Sequence, residues 1–209
     1  EQPLLTLIEK LGIDTNYITD FEVDRNPTVF AATKTIAVGG HSEYWTLRMR
    51  DSIDGAVASG VNLVALGGNT AYAITELADR EISGRKPYRE VNRPESLLLG
   101  SQYFALAIKK DLVSNNVWPF KSLGKDAVIK GLYGYEADTA LGTIGPGVQV
   151  VARSAISPTE KGYVAMSTYY NAPSGASVLN MGTNAWVCAI NNRCPWGHTF
   201  DLVAQKQIT

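Results

Sequence analysis

Apolar residues recur at Leu4, Leu7, Ile8 and Leu11, the spacing of one helical face, and Gly12 follows as a stop. Residues 15–20, TNYITD, read as a short strand. Residues 21–33 read as a connector with a brief helical turn after Asn26 and Pro27. Residues 34–40, KTIAVGG, read as a second strand ending in glycines. Tyr44, Leu47, Ile53 and Val57 alternate with Arg48, Arg50, Asp51 and Asp54, which predicts a helix closed by Gly60. Residues 61–68, VNLVALGG, form a near-continuous apolar run, as expected of a parallel strand buried on both faces. Residues 69–80 read as another helix, with Asn69 or Thr70 as its N-cap.

This alternation predicts an α/β fold with a mainly parallel sheet. From about residue 84 to 145 the pattern loosens and Gly, Pro and Asn accumulate, as in an insertion of loops and short strands. Residues 147–156, 162–172 and 176–182 return to β-structure, with a turn at residues 172–175, APSG. Residues 183–192 read as a helix capped by Thr183. No repeat, heptad or low-complexity linker breaks the chain, so residues 1–209 are expected to form a single α/β domain.

Composition narrows the function. The chain is 45% hydrophobic and 19% charged, an ordinary globular profile. Its formal net charge is -1, which gives no electrostatic case for nucleic acid or an anionic membrane. The densest basic stretch, residues 84–93, is diluted by Glu90 and reads as a solvated loop. No apolar run reaches the length of a membrane span. The two cysteines, Cys188 and Cys194, lack the spacing of a redox or zinc motif. Both a short-loop disulfide and two free thiols are compatible with them. His198 reads as a surface residue. The tryptophans read as packing residues, with Trp118 and Trp196, each beside a proline, as the candidates for exposure.

Chemistry concentrates where strands end. Residues 39–45, GGHSEYW, follow one strand, and residues 67–72, GGNTAY, follow the next. In open α/β sheets ligands bind at such carboxyl ends, so the two loops are expected to share a pocket. The plainer reading makes Ser42 an N-cap, Glu43 a first-turn carboxylate favoured by the helix dipole, and His41 a loop residue packed on glycines.

The GHSEYW core, the following residues 49–72 and the block at residues 169–190 resemble the C-terminal domain of the N,N-dimethylformamidase β-subunit-like family. The resemblance runs from about Leu4 to about Ile190. It implies a fold like class I glutamine amidotransferases, a flavodoxin-like three-layer sandwich. It also implies amide hydrolysis at a mononuclear iron held by a carboxylate and tyrosine oxygens. Carried over, Glu43 is the metal ligand and His41 its neighbour, suited to orienting or shuttling a proton. Glu136, in GYEAD, is the expected second carboxylate, acting as general base or acid. The turn at Gly68, Asn69 and Thr70 has no Cys or Ser, which argues against a cysteine-dependent amidotransferase mechanism.

In the family the tyrosine ligands lie upstream of the first helix seen here. Tyr44 and Tyr72 do not match them by motif position. The expectation is a fragment lacking the family's first strand, with an upstream segment of the same protein completing the site. Two functions follow. One is a metal-dependent hydrolase acting on a C–N bond of a small amide substrate. The other is a non-catalytic binding or structural module of a larger bacterial protein, exported or cytoplasmic, with the cysteine pair leaning towards export. A carbohydrate-modifying protein is a weaker third class, since no suitable carboxylate pair stands out.

Overall fold

A computed structural model describes residues 1–77, 82–140, 147–154 and 164–191. The first helix, α1 (Gln2–Lys10), ends at Gly12, whose φ of +66° lies in the left-handed region. Residues 13–19 form no strand. Instead Thr19 and Glu22 make a reciprocal capping box that starts α2 (Asp20–Arg25). The Thr-x-x-Glu signature there outweighs the β-propensity of Tyr17 and Ile18, which stay exposed with no ladder partner to bury them.

Strand β1 (Thr35–Gly39) forms as expected. Tyr44–Trp45 then make a two-residue strand, β2, and the next helix, α3 (Leu47–Ala58), begins later than Ser42. Thr46 is its N-cap and accepts from Met49 N–H at 3.0 Å. Ser42 instead accepts from the Trp45 indole at 2.9 Å. Strand β3 (Asn62–Leu66) pairs parallel with β1.

The helix expected over residues 69–80 is not there. Asn69 and Ala71 both hold φ of 57°, a conformation that no helix can start from. Residues 73–77 form β4 (Ala73–Leu77), since AITEL fits an alternating pattern and carries β-branched Ile74 and Thr75. Strand β4 pairs parallel with β2 and antiparallel with β5 (Ile82–Pro87), making a small three-stranded sheet. A 3-10 turn at Tyr88–Val91 and a one-turn helix, α4 (Ser96–Leu99), lead on.

The region expected to hold loops and short strands is a long hairpin, β6 (Gln102–Asn115) and β7 (Lys125–Thr139). Its Gly, Asn and Asp positions serve turns and bulges: Asn116, Asp126, Gly131 and Tyr135 all have positive φ, and the register shifts repeatedly. Strands β8 (Gln149–Ser154), β9 (Met166–Asn171) and β10 (Ser177–Asn180) follow, then helix α5 (Ala185–Ala189). The Thr183 hydroxyl accepts from Ala185 N–H at 3.2 Å, close to the expected cap.

The main sheet has seven strands in the order β1-β3-β10-β9-β8-β6-β7. Only β1–β3 and β3–β10 are parallel, and the other neighbours are antiparallel. This topology overturns the expected flavodoxin-like three-layer sandwich with a mainly parallel sheet. One α3 crossover makes the parallel start, whereas a hairpin joins β6 to β7 and a turn at residues 172–175 joins β9 to β10. Helix α3, β1, β3 and α4 enclose one apolar core around Met49, Ile53, Leu63 and Leu99. Leu112, Ile129, Val151 and Met181 centre a second, which Cys188 joins from α5. Leu4 of α1 meets Val187 and Ile190 around α5 in a third.

One further connection builds the site. After β10 the chain runs on to β7: Ala137 bridges Thr183, and Asp138 N–H donates to the Gly182 carbonyl at 3.0 Å. Thr183 N–H donates to the Gly67 carbonyl at 3.1 Å. The far edge of the sheet is thereby held against the carboxyl end of β3.

Trp45 is fully buried and Trp118 is 56% exposed, matching both expectations. Cys188 is disulfide-bonded. Cys194, Trp196 and His198 lie outside the described residues, as do the ends of the elements read over residues 69–80, 147–156, 162–172 and 183–192.

Candidate active site

The two strand-end loops do meet. Ala71 N–H donates to the Ser42 carbonyl at 2.9 Å, and Ala73 N–H to the Glu43 carbonyl at 3.0 Å. Glycines permit the approach. A Cβ on Gly67 would lie 2.0 Å from the Gly40 carbonyl oxygen, and one on Gly68 would lie 2.6 Å from that of Glu136. Backbone atoms cannot yield as flexible side chains can, so neither position accepts a larger residue without movement.

His41, Glu43 and Glu136 come together here. The His41 Nε2 lies 2.6 Å from Glu136 Oε2 and 3.4 Å from Glu43 Oε2. One potential ligand atom from each falls within 4.8 Å of the others. The His41 side chain is 39% exposed, whereas those of Glu43 and Glu136 are 13% and 9% exposed. The hydrogen bond to Glu136 raises the His41 pKa above its ordinary value, against the opposing effect of burial; the charges of Glu136 and Glu43 add to the rise.

Glu136 is fixed from behind. Its Oε1 accepts from Asn69 Nδ2 at 3.2 Å and its Oε2 from Asn184 Nδ2 at 2.8 Å. Asn184 Oδ1 in turn accepts from Gly68 N–H at 2.7 Å. Asp138, two residues on and so on the same strand face, accepts from Asn69 N–H and from Asn180 Nδ2, each at 2.8 Å. Burial pushes the Asp138 carboxyl up to about 6, although both hydrogen bonds act the other way. Left-handed backbone at Asn69, Ala71 and Tyr135 is concentrated around this network. Such strained conformations persist only where the surroundings enforce them.

Three tyrosines stand beside the carboxylates. Tyr44 is hydrogen-bonded to Glu43; burial raises its phenol, the Glu43 bond adds to the rise, and Arg85 opposes it. Burial also raises Tyr103, with the charges of Glu136 and Glu43 contributing. The Tyr72 and Tyr103 rings meet edge-to-face with centroids 5.5 Å apart. Arg85 lies 4.7 Å over the Tyr44 ring, and Arg89 lies 5.2 Å over that of Tyr72.

All three site residues singled out from sequence are therefore neighbours. The motifs give no sign of Asn184, Asp138 or the two arginines, and the sequence offers Asn69 as a helix cap in preference to a pocket wall, which is where the structure puts it. A period-two reading of residues 134–138 would have put Glu136 and Asp138 on one face. Nothing in the sequence near Asn184 signals that it faces Glu136.

The donor chemistry suits a metal. One imidazole nitrogen and two carboxylates are donors that a divalent first-row ion accepts. The Asn-anchored Glu136 and the Tyr44-bonded Glu43 resemble the outer hydrogen bonds that usually orient such ligands.

The fold and this cluster define a mixed-sheet domain with a carboxylate–histidine centre between two strand-end loops. The family described as "N,N-dimethylformamidase beta subunit-like, C-terminal" matches residues 1–89 and 78–196. The chain belongs to that family. No curated protein matches the chain. A solved structure described as "mmIFT52 N-terminal domain" aligns with a TM-score of 0.47 and 14% identity, covering 87% of this chain and 78% of that one. That likeness is too low to bear on fold or function.

Proposed function

We propose that this domain carries the centre of a metal-dependent hydrolase that cleaves the C–N bond of a small amide. The observation that carries the reading is the convergence of His41, Glu43 and Glu136 within 4.8 Å. Membership of the dimethylformamidase-like family supports the same chemistry.

Glu43 would hold the metal, with His41 beside it and Glu136 as the second carboxylate serving the proton movements. A bound divalent ion at this position supplies Lewis acidity toward an amide carbonyl. The remaining ligands are proposed to come from tyrosine oxygens of an upstream segment of the same protein. In the reaction, water adds across the C–N bond: a C–O bond forms, the C–N bond breaks, and the amine leaves with a proton. The chain's own residues serve the proton movements. Partly exposed His41 faces the incoming amide, and Glu136 holds its Nε2. The pair can take a proton from the attacking water and return it to the leaving nitrogen. Asn69 and Asn184 keep the Glu136 carboxylate from turning away. The disulfide at Cys188 supports folding in an oxidising compartment, in line with an exported protein.

The test is elemental analysis of the full-length protein beside Glu43→Ala, together with assays on formamides and acetamides. About one metal ion per chain, lost in the variant along with amide cleavage, supports the reading. Absence of metal after reconstitution, with no cleavage of any amide, overturns it and leaves a binding or structural module.

A further inference from the structure

Four of the seven arginines among the described residues pair with carboxylates. Arg48 pairs with Asp24, Arg50 with Asp54, Arg89 with Glu95, and Arg93 with Asp51 and Asp54. Arg89 is tied further, donating to the Tyr103 carbonyl at 2.6 Å. Arg85 differs. Among the described residues no carboxylate lies within ion-pair distance of it, and its guanidinium rests on the Tyr44 ring at 4.7 Å.

The small sheet explains that placement. Tyr44, Ala73 and Pro87 lie in register across β2, β4 and β5. Arg85, two residues before Pro87, falls on the same face as Tyr44. Tyr44 is in turn bonded to Glu43. An exposed cation therefore stands one aromatic ring away from the carboxylate cluster. The ring fixes the guanidinium at little cost to its donors, since a cation–π contact uses the face of the group and leaves its N–H edge free. A planar fork of free donors is suited to bidentate recognition of a carboxylate.

We propose that Arg85 binds a carboxylate of the substrate, so that the amides acted on here are anionic ones of the N-acyl amino acid class rather than neutral dialkyl amides. This rests on the hydrolase reading above. The amide carbon would face His41 and Glu43 while the carboxylate spans Tyr44 to reach Arg85. Cleavage of N-formylglycine at this site consumes one water and yields formate and glycine, with the C–N bond broken and the proton delivered to the glycine nitrogen.

The experiment compares N-formylglycine with its neutral analogue N-propylformamide on the metal-loaded, full-length protein. The wild type is expected to favour the anionic amide at least about tenfold in kcat/KM, through KM. Arg85→Gln should abolish that preference, and Arg85→Lys should restore part of it. Equal kcat/KM for the two amides in the wild type, or a preference that survives in Arg85→Gln, overturns the proposal while leaving the hydrolase reading intact. If the wild type cleaves neither amide, calorimetric binding of N-formylglycine decides the anion site separately. Binding weakened at least about tenfold by Arg85→Gln supports that site, and no binding to the wild type overturns it. Arg85 is exposed on strand β5, so its substitution leaves the core untouched.

Discussion

Glu136 lies 2.6 Å from His41 Nε2, and each of its oxygens also accepts from an asparagine, Asn69 on one and Asn184 on the other. A carboxylate held by an imidazole and two amides cannot easily be replaced by its own amide. In Glu136→Gln one of the two asparagines meets an NH2 group instead of an acceptor. Metal affinity is expected to fall about 10–100-fold. Stability should drop by about 1–3 kcal/mol, because a buried donor loses its partner. Metal titration and urea unfolding of the variant check both.

Tyr44 touches the site through Glu43 and, ring edge to face at 6.5 Å, through His41. Tyr44→Phe keeps the ring beneath Arg85 and removes the hydroxyl bonded to Glu43. Metal should bind about tenfold more weakly, with little change in melting temperature. Unchanged affinity would show that Glu43 needs no such partner.

Two glycines give opposite expectations. A Cβ on Gly68 would meet the Glu136 carbonyl oxygen at 2.6 Å, whereas one on Gly55, within α3, meets nothing within 4 Å. Gly68→Ala should destabilise by about 1–3 kcal/mol and displace Glu136. Gly55→Ala should stabilise by about 0.5–1 kcal/mol. Paired denaturation curves test the contrast.

Asp24 sets an acid limit. Burial alone would raise its carboxyl, but hydrogen bonds from Arg48 and Thr46 outweigh burial and hold it below the usual value. A depressed folded-state pKa contributes stability that is present above the unfolded value of about 3.9 and lost as pH falls through the folded value. Asp24→Asn should therefore flatten the acid limb of the stability curve below about pH 4. At neutral pH Asp24→Ala should cost about 1–3 kcal/mol, chiefly because the buried Thr46 hydroxyl loses its acceptor. The partner Arg48 side chain is 72% exposed, so the ion pair itself adds little.

Local signals in the sequence located α1, β1, α3 and β3. The glycine stop after α1, the apolar run of β3 and the charged face of α3 each depend on neighbours close in the chain. What misled was context. AITEL suits helix or strand by composition, and only the left-handed backbone at Ala71 and pairing with β2 decide for strand. Residues 102–139 resemble loops because glycine and asparagine sit where bulges need them, although the two strands pair along most of their length. The site divides the same way. His41 and Glu43 share one motif, whereas the Glu136–Asn184 hydrogen bond depends on a contact between distant segments that no local pattern encodes.

The bridge between Ala137 and Thr183 has a consequence for how the protein acquires its site. The residues that converge there come from an early loop, a middle hairpin and the turn before the last described helix. Contacts of such sequence separation form late, after the entropy of closing long loops has been spent. A chain emerging from synthesis therefore holds His41 and Glu43 in one loop before Glu136 can join them. The centre exists only once the whole sheet has closed.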